Sequence, residues 1–451
     1  MRGRELVMRL IRAALAAVDP ERLVRESLRL EAGRLLIDGS EYSLSSIARI
    51  FVLGAGKAGG PMALAAEAVL GDLIFAGIVV VKEGYGVEGL KRIDLREAAH
   101  PIPDGRAAGA ARELLDMAAG AGDRDLVICL ISGGGSALTA LTPPGMTLDD
   151  LQQTSVALFR SGAAIGEVNA VRKHLTLASA GRLAAAAFPA AVSTLIISDV
   201  IGDSLDVIAS GPATPDPSTF SMAIDVIDRH GLRPKIAPAA LHLLEEGAAG
   251  RVEETPKPGD KVFARVQNHI VASNSTAVDA AVAAATAGGF EGRVRRHEHP
   301  LTGEASEAAR ELVTAAIREW EASPAASAGA PPLCLIAGGE TTVTVSGEGT
   351  GGRAQEFALA AALAIEGRAD ILVFAFGTDG ADGPTDAAGA IADGATAGRG
   401  RALGLEPEIH LRQHNAYPFF QALGDLIMTG PTGTNVNDIY GVIIGWHEPG
   451  Q

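Results

Sequence analysis

Apolar residues along the chain gather into short runs that stop at glycine, and between them lie Ala-rich stretches whose apolar positions recur at helical spacing. A short apolar run closed by a turn signal reads as a buried strand, and the recurring stretch reads as an amphipathic helix. The first repeat is the run 47–53, followed by Gly54 and a helix to Leu70. The rhythm returns with a run at 75–81, a helix at 107–119, a run at 126–131 closed by Ser132-Gly133-Gly134-Gly135-Ser136, and a run at 191–197 closed by Ser198-Asp199. Such alternation predicts a parallel sheet with helices on both faces, because each crossover helix must cover the sheet it spans.

Residues 230–258 break the rhythm with prolines and charges and mark the expected boundary, giving domains 1–240 and 241–451. The second half repeats the α/β pattern: a run at 270–274 before an Ala-rich helix, a charged helix at 303–321 and runs at 333–337 and 341–345. A helix from Ala354, a run at 371–376 and a closing run at 440–444 complete it. The Ala/Ser/Pro stretch 323–332 reads as a mobile linker. A length of 451 residues exceeds one ordinary core, so the predicted architecture is α/β with two domains and a site in the cleft between them.

The formal charge of −16 argues against a nucleic-acid surface, since affinity for a phosphate backbone needs concentrated Lys and Arg. An anionic ligand must then meet local positive charge. No apolar run approaches the roughly 20 residues that span a bilayer, so no membrane partner is expected. The first fifteen residues interleave basic with apolar positions, as an amphipathic helix does and a secretion signal does not. Cys129 and Cys334 each sit among aliphatic residues and read as core thiols, which together with the missing signal points to the cytoplasm.

Against that negative background, several glycine-rich turns stand out. Gly54-Ala-Gly56-Lys57-Ala-Gly59 joins a strand to a helix, where backbone N–H groups face an anion. Its spacing also satisfies a dinucleotide fingerprint, with Glu83 about where such folds place a ribose-binding acid, so an NAD(P)H-dependent reductase stays open. Lys57 inside the turn is a point charge suited to phosphate or carboxylate, and the alanine after it departs from the P-loop pattern. In the 132–136 turn, three glycines let a phosphate chain approach the backbone while Ser132 and Ser136 offer hydroxyls. Gly54, Gly56, Ser132, Gly133, Gly134, Gly135 and Ser136 are thus the candidate nucleotide contacts, with Gly352 in the second half.

Asn169 and Lys173, four apart, share a helix face and suit a substrate carboxylate or phosphate, with Arg172 pointing elsewhere. Asp199 ends a strand, where it can hold a metal or accept a hydroxyl proton, and residues 210–214 form a turn that can line the same mouth. Gly338-Gly-Glu340-Thr-Thr and Gly351-Gly352-Arg353-Ala-Gln355-Glu356 flank a predicted hairpin. Arg353 there opens a helix, an unfavourable place for a cation unless it serves an anion, and Glu340 and Gln355 are candidate substrate contacts beside it. The glycine-rich loop 377–386 crowds Asp379, Asp382 and Asp386 together, and Asp379 and Asp382 join Asp199 as candidate Mg²⁺ ligands. Each motif has a plainer alternative: a solvated lysine, a basic helix face, a helix cap, a simple turn.

Taken jointly, these segments resemble the glycerate 2-kinase family whose carboxyl-terminal part is the MOFRL domain. The resemblance runs through Gly-Ala-Gly-Lys-Ala at 54–58, His100-Pro-Ile-Pro-Asp104, the 132–136 turn, Asn169 to Lys173, Ser-Asp-Val at 198–200, residues 338–342 and 351–356, Thr-Asp-Gly at 378–380, and Thr432-Gly-Thr-Asn435-Val-Asn-Asp438. It implies a Rossmann-like amino-terminal domain, a distinct carboxyl-terminal α/β domain, and ATP-dependent phosphorylation of D-glycerate to 2-phosphoglycerate. It also implies active-site roles for Lys57 and Arg353. Some members of that family are called hydroxypyruvate reductases, which coincides with the ambiguity of the first glycine turn. The expected enzyme uses ATP and Mg²⁺, with Lys57, Arg353 and Asp199 catalytic and Asp199 the base. A homodimer is compatible with it. A non-catalytic regulator that binds a sugar phosphate or nucleotide is the other class, against which the acidic loop 377–386 argues.

Overall fold

The computed structural model describes residues 3–288, 290, 293–322 and 332–445. The chain divides into two compact units, Pro20–Val271 and Met1–Asp19 with Ala272–Gln451.

The first unit opens with an antiparallel sheet of β1 (Leu28–Glu31), β2 (Arg34–Ile37) and β3 (Ser40–Ser43). Its main sheet contains β4 (Ile50–Ala55), β5 (Ile74–Lys82), β6 (Ile93–Ala98), β7 (Leu126–Ser132), β8 (Ala191–Ile197) and β9 (Val266–Ala272) in the order β6-β5-β4-β7-β8-β9. Strands β4, β5, β6, β7 and β8 pair in parallel, as the strand–helix rhythm predicts. Every residue of β4, β7 and β8 is buried, the signature of strands covered on both faces. Helix Gly105–Ala119 contributes Ala107, Ala110 and Leu114 to a core with Leu53, Ile78 and Val127. The strand order is that of dinucleotide-binding sheets, and the direction of winding reverses between β4 and β7.

A second apolar cluster in this unit joins helices Leu148–Arg160, Ile165–His174, Phe220–Arg229 and Pro238–Ala248 through Leu158, Val171, Phe220 and Leu244. Residues 230–258 therefore do not mark the boundary expected at 240/241. Pro238 starts a helix, and its apolar face belongs to this core.

In the second unit, β10 (Val294–Arg296), β11 (Leu333–Gly339), β12 (Ile371–Gly377), β13 (Gly389–Asp393), β14 (Leu426–Ile427) and β15 (Asp438–Ile444) form one sheet, ordered β10-β11-β15-β12-β13-β14. Only the β10–β11 pair is parallel; the other pairs are antiparallel. Helices Ala305–Glu321 and Arg353–Ala364 share a core with Val373, Tyr440 and Val442. The amino-terminal helix Gly3–Ala17 buries Leu6, Leu10 and Ala14 and packs on helix Asn274–Ala287, which is why it joins this unit although it begins the chain.

Residues 341–345 do not form the predicted strand, and the hairpin is absent. Their N–H groups are taken by partners distant in the chain instead: Thr341 N donates to Tyr440 Oη (3.2 Å), Thr342 N to Gly303 O (2.7 Å) and Thr344 N to Glu304 Oε2 (3.2 Å). Residues 323–331 of the expected linker lie outside the described residues. Cys129 and Cys334 are buried free thiols, both pushed up to about 12 by burial. Among the described residues no helix is long and apolar enough to cross a membrane.

Candidate active site

Because β4 and β7 are neighbours in register, the glycine turns at their carboxyl ends lie side by side. Lys57 N donates to Gly133 O (2.9 Å), and Ala58 N donates to Ser132 Oγ (3.0 Å). This is the point where the winding reverses and where open α/β sheets bind ligands. Asp199 follows β8, the next strand, and its carboxylate lies so close to Gly133 that any side chain at 133 would collide with it. Gly134 has φ +88°, a left-handed turn that favours glycine, and a Cβ there would stand 3.5 Å from Lys57 Cγ and 3.0 Å from the His100 ring. Lys57, Asp199 and His100 thus gather over two glycines. His100 is pushed down to about 4, chiefly by burial and then by the charges of Lys57 and Lys82, so its imidazole is neutral at pH 7. Ser136 Oγ is 2.7 Å from Ser210 Oγ, which brings the predicted 210–214 turn to the same loop.

Lys173 does not meet the expectation of a substrate contact. It is buried, and its ammonium lies 2.9 Å from Asp206 and 3.4 Å from Asp216. Asp216 is itself buried and accepts from Ser218 Oγ (2.7 Å) and Thr255 Oγ1 (2.9 Å). A lysine neutralised twice inside the protein serves folding, since a buried charge is tolerated only when paired. Asn169 is buried on the same helix. Arg172, expected to point elsewhere, lines a small pocket with Ser136 of the glycine turn. Helical spacing places both i+3 and i+4 near Asn169, so periodicity alone had no means to choose Arg172 over Lys173. Glu83, the expected ribose acid, is held in an ion pair with Arg106 at 2.9 Å.

In the second unit Arg353 opens its helix as predicted. Its Nε and Nη2 donate to Asp438 (2.6 and 3.1 Å) and its Nη1 to Glu340 (2.7 Å). Tyr440 Oη also donates to Asp438 (3.0 Å). Burial opposes the Arg353 charge, but Asp438 and Glu340 outweigh it and hold the guanidinium firmly protonated. Burial pushes Asp438 up to about 6, against the pull of Arg353. The cation at a positive helix end is therefore compensated by two carboxylates, a partner set that the sequence reading did not assemble.

Asp382 does not fit the metal role assigned to it. Its two oxygens accept from Ala354 N (3.1 Å) and Gln355 N (2.8 Å), capping helix Arg353–Ala364 from a distant loop. It is buried, and burial pushes it up to about 7. Its carboxyl group lies against Gly352, which places that glycine in the helix cap. Gln355 is also wholly buried, and its Nε2 donates to Thr385 Oγ1 (2.8 Å); it braces the acidic loop rather than facing a substrate. Asp379 stays partly exposed and accepts from Ala381 N (3.2 Å). Among the described residues no three His, Cys, Asp or Glu side chains cluster as a ready-made metal site.

A parallel sheet whose reversal point carries a lysine, a carboxylate and a serine–glycine loop, in a chain with a second α/β unit, defines a phosphate-handling α/β protein. Residues 6–245 match the domain of unknown function DUF4147, and residues 333–438 match the MOFRL family. A glycerate 2-kinase of Pyrococcus horikoshii is 40% identical over 98% of this chain and 97% of its own. A D-glycerate 2-kinase of Thermotoga maritima is 38% identical over 98% of both. An Agrobacterium vitis relative that carries a hydroxypyruvate reductase name is 40% identical over 98% of this chain and 95% of its own. The crystal structure of a Thermotoga maritima glycerate kinase superposes with a TM-score of 0.83 at 37% identity, covering 98% of this chain and 99% of that one. The chain belongs to the glycerate 2-kinase family, in which a DUF4147 domain is joined to a MOFRL domain.

Proposed function

We propose that the protein transfers the γ-phosphoryl group of ATP to the 2-hydroxyl of D-glycerate, giving 2-phosphoglycerate and ADP in the cytoplasm. The observation that carries this reading is the meeting of Lys57 and Asp199 over Gly133 and Gly134 at the point where the sheet reverses. The 132–136 loop with Gly54 and Gly56 cradles the nucleotide phosphates. Lys57 neutralises charge on the migrating phosphoryl, which is most of what this reaction asks of a protein. Asp199 takes the hydroxyl proton as the new O–P bond forms and the bond to the ADP oxygen breaks. Arg353 uses three of its five N–H donors on Asp438 and Glu340, which leaves two for an anion at the start of its own helix.

Kinases commonly hold Mg²⁺ with one or two carboxylates plus ligand phosphates, not with an all-protein cage. Asp199 at the glycine loop suits that mode, Asp379 is the second candidate, and Asp382 does not fit. When bound, the ion supplies neutralisation of the nucleotide phosphates.

The test is ADP release with D-glycerate and ATP, with the product identified by its consumption by enolase. Turnover to 2-phosphoglycerate is expected. Oxidation of NADH or NADPH by hydroxypyruvate, with no ADP release from glycerate, would overturn the reading in favour of the reductase.

A further inference from the structure

Arg172 lies on helix Ile165–His174, one residue before the neutralised Lys173. Its Nε is buried without a hydrogen-bond partner, and no carboxylate pairs with its guanidinium among the described residues. Arg172 is only partly exposed, and an ionised group largely withdrawn from water is unfavourable unless something compensates it, so such an arginine is poised for an incoming anion. The surroundings agree. Ser136, Thr139, Thr176, Ser179 and Ser210 line the pocket with hydroxyls and contribute no acid. Ser136 belongs to the glycine loop, whose other end carries Lys57 and Asp199 at Gly133 and Gly134. The pocket admits little more than one water-sized group, so it suits the oxygen edge of an anion and not a base or a sugar.

We infer that Arg172 binds a non-reacting oxyanion of the ligand seated on the 132–136 loop, while Lys57 and Asp199 attend the reacting end. This rests on the phosphoryl-transfer reading for its division of labour, but not for the binding itself. The planar fork of donors matches phosphate and carboxylate equally, so the source is either a nucleotide phosphate or the carboxylate of the hydroxy acid.

Calorimetric titration of the full chain with ADP and, separately, with D-glycerate distinguishes the two sources. Arg172→Gln is expected to lose at least about tenfold in affinity for one of them, with KM for ATP or glycerate, respectively, rising by a similar factor and kcat falling less than about threefold. Loss of ADP affinity assigns a phosphate, and loss of glycerate affinity assigns the carboxylate. Unchanged affinity for both, equal loss for both, or a collapse of kcat with binding intact overturns the assignment, as does a wild type that binds neither. Should Arg172→Gln fail to fold, Arg172→Lys keeps the charge and removes the fork: a selective loss of one affinity supports the assignment, and two unchanged affinities overturn it. A wild type that binds ADP selectively through Arg172 yet fails to phosphorylate glycerate refutes the proposed activity and leaves this site standing.

Discussion

The carboxylate of Asp199 occupies the space that a side chain at position 133 would fill. Gly133→Ala should therefore displace Asp199 without touching its chemistry. Misplacing a reacting group by about 1 Å can cost on the order of 100-fold in rate, so kcat in the ADP-release assay is expected to fall by about that factor. Near-wild-type turnover in a folded Gly133→Ala protein would separate Asp199 from the reaction.

Lys57→Ala should lower kcat by roughly 100- to 1,000-fold, the scale of removing one preorganised donor from developing charge. Melting temperature measured on the same preparations is expected to change little. A variant that keeps its rate would show that Lys57 serves only the turn.

His100 is held near 4 where its ordinary value is 6.5. A base whose folded value is lowered contributes stability that is complete above about 6.5 and is lost as pH falls through about 4. Urea unfolding between pH 7 and pH 4 should show wild type losing stability faster than His100→Gln. Parallel curves for the two proteins would contradict the burial of a neutral imidazole beside Lys57.

Arg353→Ala removes the partner of Asp438, a carboxylate that is 2% exposed. Breaking such a pair costs about 3 kcal/mol, so this variant should lose stability as well as turnover. Lys173→Met strands Asp216 and Asp206 in the same way and should destabilise by a similar amount, yet leave KM for ATP and glycerate within about twofold in the folded fraction. A large KM change for Lys173→Met would restore it as a ligand contact.

Asp382 gives the opposite pH sign from His100. An acid raised from about 4 to about 7 contributes stability that is complete below about 4 and is lost as pH rises through about 7. Asp382→Asn should flatten that slope in chemical unfolding, at the expense of one of the two cap bonds to Ala354 and Gln355. An unchanged slope would assign the pH dependence to other groups.

Local pattern determined a good deal. The alternation of apolar runs and helical stretches was sufficient for β4, β5, β7, β8, β11, β12 and β15, because a strand covered on both faces must be apolar throughout and a turn must supply glycine. The placement of Lys57, the 132–136 loop and Asp199 just past strand ends was legible for the same reason, since a strand end can be read from sequence and open α/β sheets bind ligands there. Strand order, the meeting of Asp199 with Gly133 and the antiparallel pairing of the second sheet were not legible, since an apolar run carries no record of its neighbours. The amino-terminal helix advertises a face to bury but not the helix Asn274–Ala287 that covers it. The partners of polar residues were decided entirely in three dimensions. Lys173 and Arg172 are adjacent cations on one helix, and only the placement of Asp206 and Asp216 neutralises the first while the second lies beside Ser136 without an acid. Asp382 looked like a metal ligand until Ala354 and Gln355, nearly thirty residues away, claimed both of its oxygens. Spacing along a chain says which groups share a face, but a charge acquires its role from whatever the fold brings within about 3 Å of it.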